Sequence, residues 1–300
     1  MKTYIGIDLG GTNVRVAKVT RDGEVLQELK RPSFGTMGPE VVIENLVKTI
    51  KEIDDYQSCL GIGIGVPGPV DTIQGKMIMA TNLPGFEGFP VADTLKEATG
   101  IATFVDNDAN VAGLAEALVG AGKGLPTVYY ATISTGIGGA LIVNGQVVSG
   151  RNGYAGEIGN LIVKDNGEKI NALNPGAVEN EASGTALTRK AKVLMPEKNI
   201  ESAIDVFKLA YEKDEQALAL VDQMAYDLAR AFSAIAHVCE PYIFVIGGGV
   251  MNVQDLFLDK TCSYFDSLVH PGMRGVTFIK AQLEEPGIIG AAMLPISKGL

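Results

Sequence analysis

Basic side chains are scarce in this sequence. Of its 300 residues, 25 are lysine or arginine and 35 are aspartate or glutamate, which gives a formal net charge of −10 at pH 7. A nucleic acid or an anionic membrane surface needs a basic patch on its protein partner, so we expect neither as a partner. The run of roughly 18 apolar residues that a membrane span requires is also missing.

Cysteine and histidine are rare as well. Cys59, Cys239 and Cys262 are odd in number and far apart, which is typical of a reduced protein with core thiols. His237 and His270 are the two histidines, and they offer no Ser/His/Asp or Cys/His arrangement for nucleophilic catalysis. The N-terminus leads directly into an apolar strand, so we expect no signal peptide and a cytoplasmic location.

Glycine, in contrast, is abundant, with 37 residues. One pattern that contains glycine occurs twice: three predicted strands in a row, with a glycine-rich turn between the first strand and the second. The turn lies at residues 10–12 in the first copy and at residues 135–139 in the second. This internal duplication predicts an α/β protein with two units and a cleft between them.

The remaining elements follow from the spacing of apolar residues, with a period of two for half-buried strands and about 3.6 for helices. The predicted strands cover residues 4–9, 14–19, 24–29, 60–66, 103–105, 128–134, 140–143, 146–148 and 242–246. The predicted helices begin at residue 39 and then cover residues 91–98, 108–119, 181–195, 201–212, 214–239 and 288–296.

Each glycine loop follows a strand, a setting that suits phosphate binding. A phosphate can approach the backbone where no Cβ intrudes, and exposed N–H groups then act as donors. At the first loop, Asp8 adds a carboxylate that could hold Mg²⁺ through water, because Mg²⁺ prefers oxygen ligands and keeps much of its hydration. The simpler interpretation is that the glycines only turn hairpins. Two duplicated loops, with a third at residues 247–249, favour phosphate binding.

Carboxylates supply a second kind of candidate site. Residues 106–110 read Asp-Asn-Asp-Ala-Asn where a strand gives way to a helix, so one of them fits a helix cap. The run also follows the carboxyl end of a strand, where α/β proteins build ligand clefts, and this position fits a general base beside a hydroxyl-binding amide. Glu157 and Glu179 can accept hydrogen bonds from sugar hydroxyls, although each alone also fits a solvated surface acid.

Taken together, these motifs resemble the ROK family of bacterial sugar kinases, a branch of the actin-like ATPase superfamily. The ordered segments that carry the resemblance are residues 5–12, 65–71, 81–85, 106–110, 134–139, 155–159 and 246–250. The resemblance implies two RNase-H-like domains with an interdomain cleft. We expect an N-terminal α/β domain over residues 1–110, joined by a C-terminal helix at 288–300, and a larger α/β domain over residues 111–287.

The resemblance also implies roles for individual residues. Asp108 matches the family's catalytic base, which takes the proton from the sugar hydroxyl that attacks the γ-phosphate. The implied sugar-binding residues are Gly68, Asn82, Asn107, Asp108, Glu157, Asn160 and Glu179. The implied ATP-binding residues are Asp8, Gly10, Gly11, Thr12, Thr135, Gly136, Gly138, Gly248 and Gly249. Asp8 would also hold Mg²⁺, through water.

This sequence departs from the family pattern at one place. Family members commonly carry Glu-Ile-Gly-His followed by a cysteine-rich zinc motif, but here the fourth residue is Asn160. Residues 161–178 contain neither cysteine nor histidine. Because a tetrahedral zinc site needs about four nitrogen or sulfur ligands, we expect no structural zinc. The family histidine normally touches the sugar, so Asn160 leaves the preferred sugar open.

The resemblance therefore implies an ATP- and Mg²⁺-dependent kinase that phosphorylates the primary hydroxyl of a hexose, with glucose as the first candidate. N-acetylmannosamine, allose, fructose or a β-glucoside are the alternative substrates. A sugar-sensing repressor would carry a helix-turn-helix domain before the Asp-Gly-Gly strand, where we expect none, and a non-catalytic sugar-binding protein is the other alternative. Dimers are frequent in the family, so a homodimer is an expected assembly, without an interface that the sequence identifies.

Overall fold

The computed structural model describes residues 1–80 and 83–300, so the predicted sugar-site residue Asn82 lies outside the described residues. The chain divides into two compact units. The first unit consists of Met1–Tyr130, Ala140–Gly156 and Ala281–Leu300. The second unit consists of Ala131–Gly139 and Glu157–Lys280.

Strands and helices alternate along much of the chain. The strands are β1 (Thr3–Leu9), β2 (Asn13–Thr20), β3 (Val25–Pro32), β4 (Ile62–Val66), β5 (Val70–Asp71), β6 (Lys76–Met77), β7 (Thr103–Asn107), β8 (Thr127–Ile133), β9 (Ile137–Val143), β10 (Gln146–Val147), β11 (Ile243–Gly247) and β12 (Thr277–Lys280). The helices are α1 (Pro39–Lys51), α2 (Val91–Thr99), α3 (Asp108–Leu118), α4 (Val178–Ala182), α5 (Gly184–Leu194), α6 (Ala203–Tyr211), α7 (Glu215–Cys239), α8 (Leu258–Leu268) and α9 (Pro286–Ser297). Among the helices of the described chain, none has both the length and the apolar surface that a bilayer crossing demands.

The first sheet has the strand order β3-β2-β1-β4-β7. Strands β1, β2 and β3 form an antiparallel meander, whereas β4 pairs in parallel with both β1 and β7. Every residue of β4 is buried, which explains why its sequence is apolar throughout instead of alternating. The parallel pairing brings the carboxyl ends of β1, β4 and β7 to one edge of the sheet.

The second sheet has the strand order β10-β9-β8-β11-β12. Asn144 and Gly145 both have positive φ between β9 and β10, as a tight hairpin turn requires. Strand β11 is buried along its whole length and pairs in parallel with β12. The order of a meander followed by buried strands repeats that of the first sheet, so the duplicated two-sheet α/β architecture predicted from the sequence is confirmed.

Helix α9 packs on the first sheet through glycines that allow two backbones to approach. A Cβ added to Gly63, the second residue of β4, would lie 2.8 Å from the Ala291 carbonyl carbon and 3.0 Å from Leu294 Cβ. A Cβ added to Gly6 in β1 would lie 3.0 Å from the Ala292 amide nitrogen. The helix is apolar nearly all round and buried from Ile288 onward, as expected of a helix enclosed by its own unit.

Strands β5, β6 and β12 have no counterpart in the sequence prediction, and α8 has no predicted range of its own. The face of α8 that turns inward buries only Thr261 and Phe265, which is too few residues to produce a helical period in the sequence. The predicted domain division at residue 110 stays a prediction. In the structure, residues 111–130 and 140–156 cluster with the first unit, because α3 packs there and Gly113 lies against Tyr130 and Ala140.

Candidate active site

In the first unit, the predicted residues of the first glycine loop and of residues 106–110 lie at one edge of the sheet. Asp8 is in register with Gly65 of β4, and Gly65 is in register with Asp106 of β7. Asp108 follows the last residue of β7 and is the first residue of α3. The parallel pairing of the three strands thus brings Asp8 and Asp108 to the same edge, as expected of a ligand site in an α/β protein.

The polar side chains of residues 106–110 have different roles. Asp106 is buried, and its Oδ1 accepts a 2.7 Å hydrogen bond from Asn110 Nδ2. The Asn107 side chain caps α3, since its Oδ1 accepts hydrogen bonds from the Ala109 and Asn110 amides at 2.8 and 3.3 Å. Asp108 is the exposed member of the run. Helix capping therefore accounts for Asn107, whereas Asp108 is accessible to a substrate.

Burial affects both carboxyls of this edge. Although Asp108 is accessible, the protein around its carboxyl removes water and raises its pKa, and the charge of Asp8 raises it further. The hydrogen bond from the Ala109 amide opposes this shift. Burial also raises the pKa of Asp8, while the nearby Arg15 guanidinium lowers it. A raised carboxyl pKa next to a second carboxyl is typical of functional sites.

The loop between β1 and β2 is a tight turn. The Gly10 amide donates a 3.0 Å hydrogen bond to the Asn13 carbonyl, and a Cβ on Gly10 would lie 3.3 Å from that oxygen. Gly11 and Thr12 complete the turn, and Thr12 is exposed. Behind the turn, Arg15 forms ion pairs with Glu28, at 2.7 Å, and with Glu285. The exposed turn leaves backbone and hydroxyl groups accessible to an anion.

Gly68 lies beside the capping residue. Asn107 Nδ2 donates a 3.1 Å hydrogen bond to the Gly68 carbonyl. Gly68 has a φ of 91°, and a Cβ there would lie 2.8 Å from the Met79 carbonyl oxygen, so the position requires glycine. The Asn107 amide thus connects the loop after β4 to the start of α3, next to Asp108.

In the second unit, the second glycine loop contacts a predicted sugar-binding residue. Glu179 Oε2 accepts a 2.8 Å hydrogen bond from the Ile137 amide. A Cβ on Gly136 would lie 2.6 Å from the same carboxylate oxygen. Thr135 is exposed, and Gly138 lies in β9. Glu179 is therefore positioned directly against the loop that the resemblance assigns to phosphate.

Glu157 and Glu179 both contact Gly159, the residue that precedes Asn160. The Gly159 amide donates to Glu157 Oε1 at 3.4 Å, and the Gly159 carbonyl accepts from the Glu179 amide at 3.1 Å. Asn160 is exposed, but its Oδ1 accepts a 2.6 Å hydrogen bond from the Asn174 amide. Its Nδ2 is the atom that this contact does not use, so Asn160 offers a donor to a ligand.

A cavity of about 1000 Å³ lies in the second unit. Thr135 and Gly249 both line this cavity. Gly248, the residue before Gly249, has a φ of 90°, and a Cβ added to it would lie 2.6 Å from the Ile133 carbonyl carbon. The sequence analysis missed its other walls, which include Ile204, Phe207, Tyr211, Val250 and Val253. Residues 204, 207 and 211 share one face of α6, a spacing that could have identified this wall.

No group of three or more His, Cys, Asp or Glu side chains in residues 1–80 and 83–300 is arranged to hold a metal ion. Mg²⁺ does not need such a cage, because it is commonly bound by one or two carboxylates together with waters and substrate phosphates. The half-buried Asp8 carboxylate, whose negative charge acts on that of Asp108, fits this donor set.

Comparison with known proteins gives consistent results. The model of the ROK family matches residues 4–298. The chain is 32% identical to a glucokinase of Thermotoga maritima, over 97% of this chain and 96% of that protein. It is also similar to the crystal structure of a ROK hexokinase from Thermus thermophilus, with a TM-score of 0.89, 30% identity and coverage of 99% and 100%. A third similarity is to a ROK family glucokinase from Streptomyces griseus solved with glucose and AMPPNP, with a TM-score of 0.75, 27% identity and coverage of 97% and 98%.

Proposed function

This chain belongs to the ROK family, since the family model matches nearly all of its residues. We therefore propose that the protein is an ATP-dependent sugar kinase. It transfers the γ-phosphate of ATP to the primary hydroxyl of a hexose, with glucose as the first candidate. The observation that carries the proposal is the pair of carboxyls at one sheet edge of the first unit: Asp8 beside an exposed glycine turn, and the exposed Asp108 at the start of α3.

Asp108 acts as the general base in this proposal. Phosphoryl transfer needs little beyond positioning, charge neutralisation and one carboxylate near the attacking hydroxyl. An accessible carboxylate whose pKa is raised takes up a proton more readily than an ordinary aspartate does. Asp108 therefore accepts the proton of the sugar hydroxyl as this hydroxyl attacks the γ-phosphate.

In this proposal, hydrogen-bond acceptors and donors of the predicted sugar-binding residues bind the sugar. Carboxylates accept hydrogen bonds from sugar hydroxyls, and amides can both donate and accept them. The proposed sugar-binding residues are Gly68, Asn82, Asn107, Asp108, Glu157, Asn160 and Glu179. Support comes from the contacts of Glu157 and Glu179 with Gly159, next to Asn160, and from the contact of Asn107 with Gly68.

The nucleotide is bound by the glycine loops and by the cavity of the second unit. The proposed ATP-binding residues are Asp8, Gly10, Gly11, Thr12, Thr135, Gly136, Gly138, Gly248 and Gly249. The cavity supports this assignment, because it is large enough for a nucleoside, has apolar walls and begins at Thr135 and Gly249. Asp8 would hold Mg²⁺ through water, and the ion, when bound, would neutralise charge on the phosphates.

The direct test is ADP release from Mg-ATP in the presence of single sugars: glucose, mannose, fructose, allose, N-acetylglucosamine, N-acetylmannosamine and a β-glucoside. We expect one sugar to be clearly preferred, and this sugar would show what Asn160 selects. ADP release without any preferred sugar, or no release with any of them, would contradict the kinase. In the second case, calorimetric binding of a sugar would favour a sensor.

We also predict that removal of zinc has no effect on stability. Residues 161–178 contain no cysteine or histidine, so a zinc site with the usual nitrogen and sulfur ligands cannot form there. Incubation with a strong zinc chelator should leave the thermal midpoint of unfolding unchanged. The matched control adds zinc back after chelation. A midpoint that falls with the chelator and recovers with zinc would contradict the prediction.

A further inference from the structure

Glu181 is a buried acid outside the proposed catalytic and binding residues. The residue is 4% exposed, although glutamate is seldom fully buried without a partner. Its Oε2 accepts a hydrogen bond from Lys190 Nζ at 2.6 Å and forms an ion pair with Lys164 Nζ at 3.4 Å. Lys190 of α5 and Lys164 thus both contact the buried Glu181 carboxylate.

Two cations of α5 donate hydrogen bonds to the backbone of α4. Lys190 Nζ also donates a 2.7 Å hydrogen bond to the Glu181 carbonyl, and the Arg189 guanidinium donates one of 2.7 Å to the Asn180 carbonyl. Helix α4 has only five residues, which is too short to be stable through its own hydrogen bonds. Its position therefore depends on packing against neighbouring elements, to which these contacts from α5 contribute.

The charge of Lys190 also acts on a second buried acid, Asp227. Asp227 in α7 is 1% exposed, and its Oδ2 has no hydrogen-bond partner in the described part of the chain. Burial raises the pKa of Asp227, the charge of Lys190 lowers it, and the charge of Glu181 raises it again. The charge of Lys190 thus acts on two buried carboxyls, whereas the Gln223 amide donates a 3.0 Å hydrogen bond to Asp227 Oδ1.

Helix α4 also carries Glu179, on which the proposed site depends. The Glu179 carboxylate accepts a hydrogen bond from the Ile137 amide of the second glycine loop, and the Glu179 backbone amide donates one to the Gly159 carbonyl. Glu179 and Glu181 are two residues apart, so their side chains point in different directions from one short helix. A shift of α4 would therefore move the Glu179 carboxylate relative to the loop.

We propose that Glu181, paired with Lys190 and Lys164, is a positioning residue that fixes α4 and so places the Glu179 carboxylate for sugar binding. This inference rests on the proposed function, since it concerns the same site. Glu181 itself does not touch the substrate. Misplacing a substrate-positioning group by about 1 Å can cost up to about 10²-fold in rate.

The test is Glu181→Gln, which keeps the size of the side chain and removes its charge. We expect the KM of the preferred sugar to rise about tenfold, since the displaced Glu179 binds the sugar less well. The KM of ATP should rise less than the KM of the sugar, because neither Glu179 nor Glu181 lines the nucleotide cavity. Glu168→Gln is the matched control. Glu168 lies in residues 161–178, as Lys164 does, and its side chain is 78% exposed and pairs with Arg189 at 3.6 Å. It should leave both KM values unchanged.

Variants of Lys190 separate positioning from stability. Lys190→Met should raise the sugar KM and should not add its full effect to that of Glu181→Gln in the double variant. Lys190→Arg keeps a cation and should restore most of the sugar affinity. If Glu181→Gln does not fold, Lys164→Met takes its place, with an expected rise of about twofold, because Lys164 is half-exposed and its contact is longer.

Hydrogen–deuterium exchange of residues 174–183 gives a readout that does not require turnover. We expect faster exchange there in Glu181→Gln than in the unchanged protein and in Glu168→Gln. Unchanged exchange, or a lower thermal midpoint with an unchanged sugar KM, would overturn the positioning role. Failure of the unchanged protein to phosphorylate any sugar would instead contradict the proposed function, and the exchange result would still be measurable.

Discussion

Asp108→Asn is expected to lower kcat by about 10³-fold while sugar binding changes little. A positioned general base contributes about 10²- to 10⁴-fold, and asparagine cannot accept the hydroxyl proton. Its amide keeps hydrogen-bonding groups of the same size at the start of α3. The measurements are steady-state kinetics with the preferred sugar and calorimetric binding of that sugar without ATP.

The pH dependence follows from the same carboxyl. Burial, together with the charge of Asp8, raises the pKa of Asp108, and the base works only when ionised. We therefore expect kcat to fall as the pH decreases through this raised pKa, at a higher pH than an ordinary aspartate would give. The acid limb should be absent from the residual activity of Asp108→Asn.

Stability should respond in the opposite direction. A carboxyl whose pKa is raised by folding favours the protonated form in the folded state, so its ionisation costs stability as the pH rises from the unfolded-state pKa to the folded-state pKa. Above the folded-state pKa this cost is fully present. Asp108→Asn removes it, and the thermal midpoint should be equal to or higher than that of the unchanged protein.

Asp93→Asn provides the matched control for Asp108. Asp93 is an exposed aspartate in the first turn of α2, in the same unit, and it lies outside the proposed site. Its variant should keep normal turnover. Near-normal kcat in Asp108→Asn would show that another group takes the proton, and equal losses in both variants would indicate an effect of helix-terminal charge.

The sheet architecture could be predicted because its signals are local. Strand β4 is an uninterrupted apolar run, and the Asn144-Gly145 turn marks the hairpin between β9 and β10. Those signals depend on burial and on turn geometry, which neighbouring residues determine. In contrast, β12 has four residues with partly exposed side chains, so its place beside β11 depends on a pairing that is distant in sequence.

The candidate site divides in the same way. Its glycines and carboxylates stand out because they are unusual at the ends of apolar strands, as with Asp8 and Asp108. The apolar walls of the cavity do not stand out, since Phe207 of α6 has the same pattern as a core residue. Glu181 and Lys190 carry no distinctive sequence signal, and only their contact in the fold identifies them as a pair.

Gly63→Ala is expected to destabilise the first unit more than any other single-methyl change discussed above. Gly63 is the second residue of β4, and its added Cβ would lie 2.8 Å from the Ala291 carbonyl carbon and closer still to the carbonyl oxygen of Ala291. Both obstructing atoms belong to the backbone of α9, so no side-chain rotation can relieve the overlap.

The alanine therefore forces α9 away from the sheet, and α9 is buried against β4 from Ile288 onward. Overpacking a core typically costs about 1–3 kcal/mol, and a rigid backbone partner places this change at the upper end or beyond. We expect a loss of about 3 kcal/mol in the free energy of unfolding, measured by urea titration. Gly272→Ala is the control, because nothing lies within 4 Å of its added Cβ. A Gly63→Ala variant as stable as this control would contradict the close packing of α9 on β4.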